Sequence, residues 1–339
     1  METSKNTTLS TIAELAGVSK STVSRVLSDH PRISQKTKDQ VYAIIEELGY
    51  HPNEVARSLA NKSTKTIGIV MPIQDAEAFY ASSFFQESLR GICTVASENG
   101  YDILISTNKV SEVDVIRRFI NGKKVDGIIL MRSQVKDLGI KALVEAKFPF
   151  VLIGSYNDEH EIYSVDNDNF QASYDLTNYL ISLGKNKIGF IGGTLKSVVT
   201  VNRLNGYKKA LNDHNLLENS ERFVITDISY NESLVELKDI YNSGDQPDAI
   251  IVMDDQVGSL VIEQLTQLGI QIPRDVRIAG FNHSSYFFNA SLCISSIEIF
   301  SEEIGTRSCQ MLIDLMNNKK VEHKVIVEHE LIKRESATS

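Results

Sequence analysis

The stretch GVSKSTVSRVLSD (17–29) decides how the chain begins to fold. From Ser19 to Leu27 the spacing of Val23, Val26 and Leu27 predicts a helix with one apolar face. Its other face carries Lys20, Ser21, Thr22, Ser24 and Arg25, with no acidic residue among them. Ser and Thr form helices poorly, and their short hydroxyls suit a surface that another polar body approaches closely.

Outward from this stretch, residues 8–50 read as three short helices. The first opens at Ser10 or Thr11, where TIAE (11–14) fits a capping box, and it stops at Gly17. Ser19 can cap the second and Ser34 the third, with Val41, Ile44, Ile45 and Leu48 inward and Gly49 closing it. Asn53 can cap one more short helix, EVARSLA (54–60), before the polar linker NKSTK. A helix, a glycine turn and a second helix with short polar residues at its start make a helix-turn-helix. Such a second helix can lie in a DNA major groove. Arg25 can pair bidentately with guanine, and Lys20 can reach a base or a phosphate. On this segment alone, an exposed Ser/Thr-rich helix in a small bundle competes with that reading.

Charge is distributed unevenly. The 339-residue chain holds 35 Lys/Arg and 44 Asp/Glu, a net charge of -9. Residues 1–65 carry nine basic and seven acidic side chains, so the deficit lies entirely in the remainder. A mildly basic head on an acidic body points to a local anionic partner. Length suits two or three domains, and 42% hydrophobic content is ordinary for a globular chain. No apolar run approaches a membrane span, and METSKNTTLS lacks a signal-type stretch, so a cytoplasmic protein without a membrane partner is expected. Three isolated cysteines fit reduced thiols and no disulfide framework.

From Thr66 the texture changes to short apolar runs separated by longer amphipathic segments. The runs are TIGIVM, YDILIS, VDGIILM and FPFVLIG, then KIGFIGG, RFVITD, PDAIIVMD and VRIAGF. This alternation is the signature of βαβ units around parallel sheets. Two successive sets, with a break near 163–168, predict two lobes and a ligand cleft at the carboxyl ends of their strands.

The stretches TLSTIAELAGVSKSTVSRVL, ISQKTKDQVYAIIEELGYHPNEVARSLANKSTKTIGIV, VDNDNFQASYDLTNYLISLG, RLNGYKKAL, DAIIVMDDQ and VRIAGFN resemble the lactose-repressor (LacI/GalR) family of bacterial transcription regulators. The likeness runs over nearly the whole chain. It is most similar in overall pattern to regulators of maltose and maltodextrin operons in Gram-positive bacteria. The resemblance implies an α/β protein with a helix-turn-helix head, a hinge helix and a two-lobed core of parallel sheets like a periplasmic binding protein. Boundaries follow at 1–50 for the head (motif about 9–28), 51–65 for hinge and linker, and 66–335 for the core. Within the core, the N-lobe spans about 66–163 plus 298–321 and the C-lobe about 164–297 plus 322–335.

Carried over from the family, Lys20, Ser21 and Arg25 would read bases. Ser19, Thr22, Ser24, Ser28 and Thr37 would hold phosphates, with Arg32 nearby. The hinge helix from Asn53 would enter the minor groove, Leu59 wedging between base pairs beside Arg57. So short a helix is unstable alone and should form only against its dimer mate on DNA. In the core, Arg203 matches an effector-contacting arginine whose planar fork suits paired sugar hydroxyls or an anion. Asp254 and Asn282 match further polar positions. Phe84 or Phe85 would supply an apolar face, and Arg132 and Tyr156 also follow strands. As competing readings, Arg203 could pair with a helix carboxylate, Asp254 could be only a helix cap, and the phenylalanines could be core. Departures from the family pattern touch the effector site and its surroundings. Position 254 is Asp where Asn is frequent, 282–283 is Asn-His where Asp-Asp is frequent, and Lys185 replaces a usual histidine. QDAEAFYASSFF (74–85) differs from the compact segment usual at the mouth.

The implied partners are a double-stranded operator, a small-molecule effector of sugar type and a second copy of the chain. The alternatives are a catabolite or purine regulator driven by a corepressor or a phosphorylated phosphocarrier protein, and a cytoplasmic sugar-binding protein without a DNA role. No cofactor, metal or catalytic set is implied. DNDN (166–169) is similar to a calcium loop, but Phe170 and Gln171 break it, and it reads as a helix start. GFIGG (189–193) lacks both nucleotide fingerprints, and neither HExxH nor CxxC occurs.

Overall fold

The computed structural model describes residues 8–27, 30–50, 63–71, 83–106, 111–156, 161–227, 229–282 and 294–337. The chain falls into two compact units, Met1–Thr64 and Lys65–Ser339.

The first unit holds α1 (Leu9–Leu15), α2 (Lys20–Leu27) and α3 (Gln35–Glu47). Thr8, rather than Ser10 or Thr11, caps α1, its hydroxyl accepting from the Thr11 amide at 3.3 Å. The earlier start brings Leu9 onto the same apolar face as Ile12. The chain turns out of α1 at Gly17, whose φ of 63° is left-handed. Ser19 and Ser34 accept from the Thr22 and Thr37 amides at 3.1 and 3.3 Å. Ile12, Val23, Val26 and Val41 are fully buried between the three helices, each worth about 1.5–3 kcal/mol of transfer free energy. Gln40 Nε2 donates to the Ala16 carbonyl and Tyr42 Oη to the Val26 carbonyl, both at 3.1 Å, so α3 secures the ends of α1 and α2.

The second unit runs β1 (Thr66–Val70), α4 (Ser83–Glu98), β2 (Asp102–Ser106), α5 (Glu112–Asn121), β3 (Gly127–Leu130), α6 (Leu138–Ala146), β4 (Phe150–Ile153) and β5 (Ser164–Asn167). It continues with α7 (Asn169–Ser182), β6 (Ile188–Ile191), α8 (Val198–Asp213), α9 (Leu217–Ser220), a 3-10 turn, β7 (Val224–Ile225), α10 (Tyr230–Asn242), β8 (Ala249–Val252), α11 (Asp255–Gln267) and β9 (Arg277–Phe281). Then come β10 (Ser295–Glu298), α12 (Ser301–Met316), β11 (Lys324–Val327) and β12 (Glu330–Ile332).

Two six-stranded sheets result, ordered β11-β5-β4-β3-β1-β2 and β12-β10-β9-β8-β6-β7. Among the described residues every strand pairing is parallel except β10 with β12. Their strands read as continuous apolar runs because helices cover both faces. In the first sheet Ile67, Ile69 and Ile129 face α4 and α12, while Val70, Ile128 and Leu130 face α5 and α6. In the second, Phe190, Ile251 and Phe281 face α7 and α8, while Ile191, Ile250 and Val252 face α10 and α11.

The lobes exchange strands differently from the boundaries drawn from sequence. Those boundaries assign residues 164–167 and 324–327 to the C-lobe, but β5 pairs with β4 and β11 with β5 in the first sheet. The chain therefore crosses after β5, after β10 and after β11.

Candidate nucleic-acid interface and ligand site

In the first unit, α2 turns Val23 and Val26 into the core and leaves Lys20, Ser21, Ser24 and Arg25 exposed along its outer face. Ser19, the cap, shares its hydroxyl with Ser21 Oγ at 2.7 Å and Thr22 Oγ1 at 2.8 Å. Arg32 is exposed on the connection to α3, and its amide donates to His30 Nδ1 at 3.2 Å. Thr37, half-buried in the first turn of α3, meets the Ser34 hydroxyl at 2.8 Å. One polar face with short side chains and two cations is thus presented by a helix whose other side is locked. Ser28, Asn53, Arg57 and Leu59 lie outside the described residues.

In the second unit the lobes meet at the carboxyl edges of their sheets. Past β3, Val135 N donates to Lys196 O at 2.9 Å and Ser133 O accepts from Val198 N at 3.4 Å. Gln134 and Ser197 form an antiparallel bridge between these segments. Phe84, in the first turn of α4, packs against the core clusters of both lobes and meets Phe85 edge-on at 5.3 Å. Phe85 packs on the first-lobe cluster.

Arg203 is the centre of the second-lobe edge. It lies on α8, 4% exposed, with Nε donating to Asn169 Oδ1 and Nη1 to the Met253 carbonyl, both at 2.8 Å. Its guanidinium stands over the Phe281 ring, 3.9 Å from the centroid. Burial lowers its pKa to about 10, with Asp166 and Asp254 opposing the shift, so it stays protonated at neutral pH. Asp254 is the N-cap of α11, Oδ1 accepting from Val257 N at 2.9 Å. It also faces Arg203, and burial raises its pKa against the help of that amide and that cation. Cap and charge partner are therefore one residue here.

The remaining candidates follow strands β3, β4 and β9. Arg132 follows β3 and pairs through Nη2 with Glu112 Oε2 at 2.6 Å, leaving Nη1 buried without a partner among the described residues. Burial raises the Glu112 pKa, and Arg132 opposes it. Tyr156 packs against the cluster beneath α5 and α6. Asn282 follows β9, 5% exposed at φ 88°, its amide donating to Ile297 O at 2.9 Å.

Three participants escape the sequence reading. Asp166, Asn169 and Phe281 surround Arg203, yet DNDN reads simply as a helix start. Its second half is one, since Asp168 caps α7 by accepting from Gln171 N at 2.9 Å. Its first half is the end of β5. Four amides and carboxylates between a strand and a helix are the available signal.

Residues 8–53 match the model of the bacterial regulatory proteins, lacI family, and residues 177–337 match the periplasmic binding protein-like domain. The regulator MalR of Streptococcus pneumoniae is 36% identical over 334 residues, covering 96% of this chain and 99% of its own. The structure of the transcriptional regulator CelR in complex with cellobiose superposes with TM-score 0.74 at 28% identity, covering 98% of this chain and all of that one. The lac repressor dimer bound to operator shares the fold, with TM-score 0.85 at 24% identity over 99% of this chain and 100% of that one. These relatives are regulators rather than enzymes, and with its helix-turn-helix head and two-lobed core the chain belongs to the lacI family of DNA-binding transcriptional regulators.

Proposed function

We propose that this regulator represses a carbohydrate-utilisation operon, binding a pseudo-palindromic operator as a homodimer and releasing it when a maltose- or maltodextrin-type sugar enters between the lobes. The observation that carries the sugar class is a set of buried polar atoms without partners among the described residues. Arg132 Nη1, Ser133 Oγ, Asn167 Nδ2 and Thr200 Oγ1 all lie at strand ends or the first turn of α8. Unpaired buried polar groups are costly, and a polyhydroxyl ligand supplies donors and acceptors together. Arg203 adds a planar fork with two nitrogens engaged and Nη2 left for hydroxyls. Phe84 would supply the apolar face.

On DNA, Lys20, Ser21 and Arg25 would meet base edges, with Ser19, Thr22, Ser24, Ser28, Arg32 and Thr37 on phosphates. Asn53, Arg57 and Leu59 would act in the minor groove at the operator centre. The sugar would shift the population of lobe arrangements, and coupling to operator affinity would be reciprocal.

The test is selection of two-fold-related sites from random duplex DNA, then titration of the bound complex. Salt-sensitive binding released by maltose or maltodextrins is the outcome this reading requires. Tightening by a purine or by a phosphorylated phosphocarrier protein would instead make it a corepressor-driven regulator. Absence of any site preference would leave a sugar-binding protein without a DNA role.

A further inference from the structure

Buried polar groups form an unbroken hydrogen-bonded line through the β5–α7 crossover. Ser155 Oγ, just past β4, donates to Asp166 Oδ2 at 2.7 Å. Asp166 Oδ1 accepts from Asn167 N at 2.9 Å and from Asn169 Nδ2 at 3.1 Å. Asn169 Oδ1 accepts from Arg203 Nε at 2.8 Å. Ser155 and Asp166 belong to the first lobe, Asn169 and Arg203 to the second. Asp166, Asn169 and Arg203 are all at most 5% exposed.

The chemistry restricts what can stand at position 169. A carboxylate only accepts and a guanidinium only donates, so a group bridging them must do both at once. A primary amide does so in one orientation, which this pair of neighbours dictates. Ala would leave Arg203 Nε without its acceptor and remove one donor from Asp166, and Asp would set two carboxylates side by side. A direct bidentate Asp166–Arg203 pair would occupy the guanidinium fork. The interposed amide engages only Nε. It leaves the outer edge of the fork for Met253 O and for a ligand.

We propose that Asn169 is the positioning residue of the effector site, holding Arg203 in its ligand-ready place and tying it to Asp166 in the strand that joins the lobes. This rests on the reading of Arg203 as the effector contact. A ligand that pulls on Arg203 then acts on the crossover through two hydrogen bonds. The charged groups facing this line are Lys324 from β11 toward Asp166 and Asp254 from the start of α11 toward Arg203.

The test uses the full chain labelled with nitrogen-15 arginine, without effector. The Arg203 Nε–H signal is identified by its loss in Arg203→Lys. In the native protein this proton should exchange slowly, and in Asn169→Ala roughly tenfold faster or more, as loss of a charge-assisted bond implies. Asn169→Asp supplies an independent readout. Rates are taken relative to the native protein at the same pH, because N–H exchange is itself base-catalysed and Asp166 titrates in this window. At pH 8 the paired carboxylates, without the donor toward Asp166, should push apart and raise the relative rate, whereas at pH 5 a shared proton restores that donor and should bring it back toward native. Calorimetry with maltose should follow the same pattern, roughly tenfold weaker for Asn169→Ala and recovered at pH 5 for Asn169→Asp. A merely structural defect would not recover with pH. Native-like exchange in Asn169→Ala, or an Asn169→Asp whose rate relative to native is the same at pH 8 and pH 5, would overturn the proposal. If native protein binds no sugar, the sugar reading fails while the exchange measurement still decides the role of Asn169.

Discussion

Arg203 and Phe281 form a buried cation–ring pair, the guanidinium carbon 3.9 Å from the ring centroid. The ring lies at the end of β9 and is fully buried within the second-lobe core. A desolvated pair of this kind contributes about 2 kcal/mol and keeps the arginine flat and charged without using its N–H groups. Aromatic face, Asn169 and the Met253 carbonyl together leave the guanidinium little rotational freedom, which lowers the entropy a ligand must oppose.

Arg203→Ala should therefore abolish the response to effector while leaving operator affinity within about twofold, since no base-reading residue is altered. Loss of a fork making two charge-assisted bonds to a ligand corresponds to a fall of about a hundredfold in effector affinity. Operator release is the measurement. A variant that still dissociates at native effector concentrations would make Arg203 a structural arginine. Phe281→Leu is the companion variant, expected to weaken the effector without removing it.

Asp166 gives a pH signature. Burial raises its pKa to about 6, against the Ser155 and Asn167 hydrogen bonds and the charges of Arg203 and Lys324. The folded state thus holds this proton more tightly than the unfolded chain, whose carboxyl titrates near 3.8. The contribution to stability is present below about pH 4 and is lost as pH rises through about 6. Asp166→Asn removes the titration, so its unfolding free energy relative to the native chain should climb between pH 4 and 6 and then level. The climb is on the order of 3 kcal/mol at 1.36 kcal/mol per pKa unit. Denaturant unfolding at several pH values measures it, and a flat difference would show that Asp166 titrates normally.

Gly91 and Gly305 mark where α4 and α12 touch backbone to backbone. A Cβ on Gly91 would strike the Glu302 carbonyl, and one on Gly305 the Ser88 carbonyl. Ser88 Oγ also donates to Ser301 O at 3.0 Å across the same crossing. Neither carbonyl can move without shifting a helix. Gly305→Ala should cost about 1–3 kcal/mol by overpacking, seen as a melting temperature lowered by several degrees. An unchanged melting curve would mean that the helices separate freely.

Much of this architecture is legible in the sequence. Eight apolar runs correspond to β1–β4 and β6–β9, and Ser19 and Ser34 cap where their spacing places them. What escapes are β5, β10, β11 and β12, the strands next to the crossovers. β5 is SVDN and β10 is SSIE, polar sequences buried almost throughout. Their burial is compensated by hydrogen bonds rather than by apolar contact. Ser295 Oγ donates to the Arg334 carbonyl at 2.9 Å and Ser336 Oγ to Ile278 O at 2.6 Å. Hydrophobic periodicity is blind to such strands, and the partners lie some forty residues away or more. The same blindness hides Asp166 and Asn169 from the site, and it shifts the lobe boundary.

Base reading by α2 can be separated from mere adhesion by two variants. Arg25 projects from the exposed face of a helix held by Val23 and Val26, and a bidentate arginine–guanine contact is worth about 1–3 kcal/mol of discrimination. Arg25→Ala should weaken the operator by that amount and flatten preference at one base pair in each half-site, leaving other positions unchanged. Ser19→Ala acts otherwise. It removes the hydroxyl that accepts from Thr22 N and meets Ser21 and Thr22 at 2.7 and 2.8 Å. Loss of this cap costs about 1 kcal/mol of helix stability, and affinity should fall evenly over all sequences. Binding to a panel of single-base operator variants measures both. If Arg25→Ala instead weakens every variant equally and reduces the salt dependence by about one phosphate contact, Arg25 grips the backbone and the bases are read from elsewhere on α2.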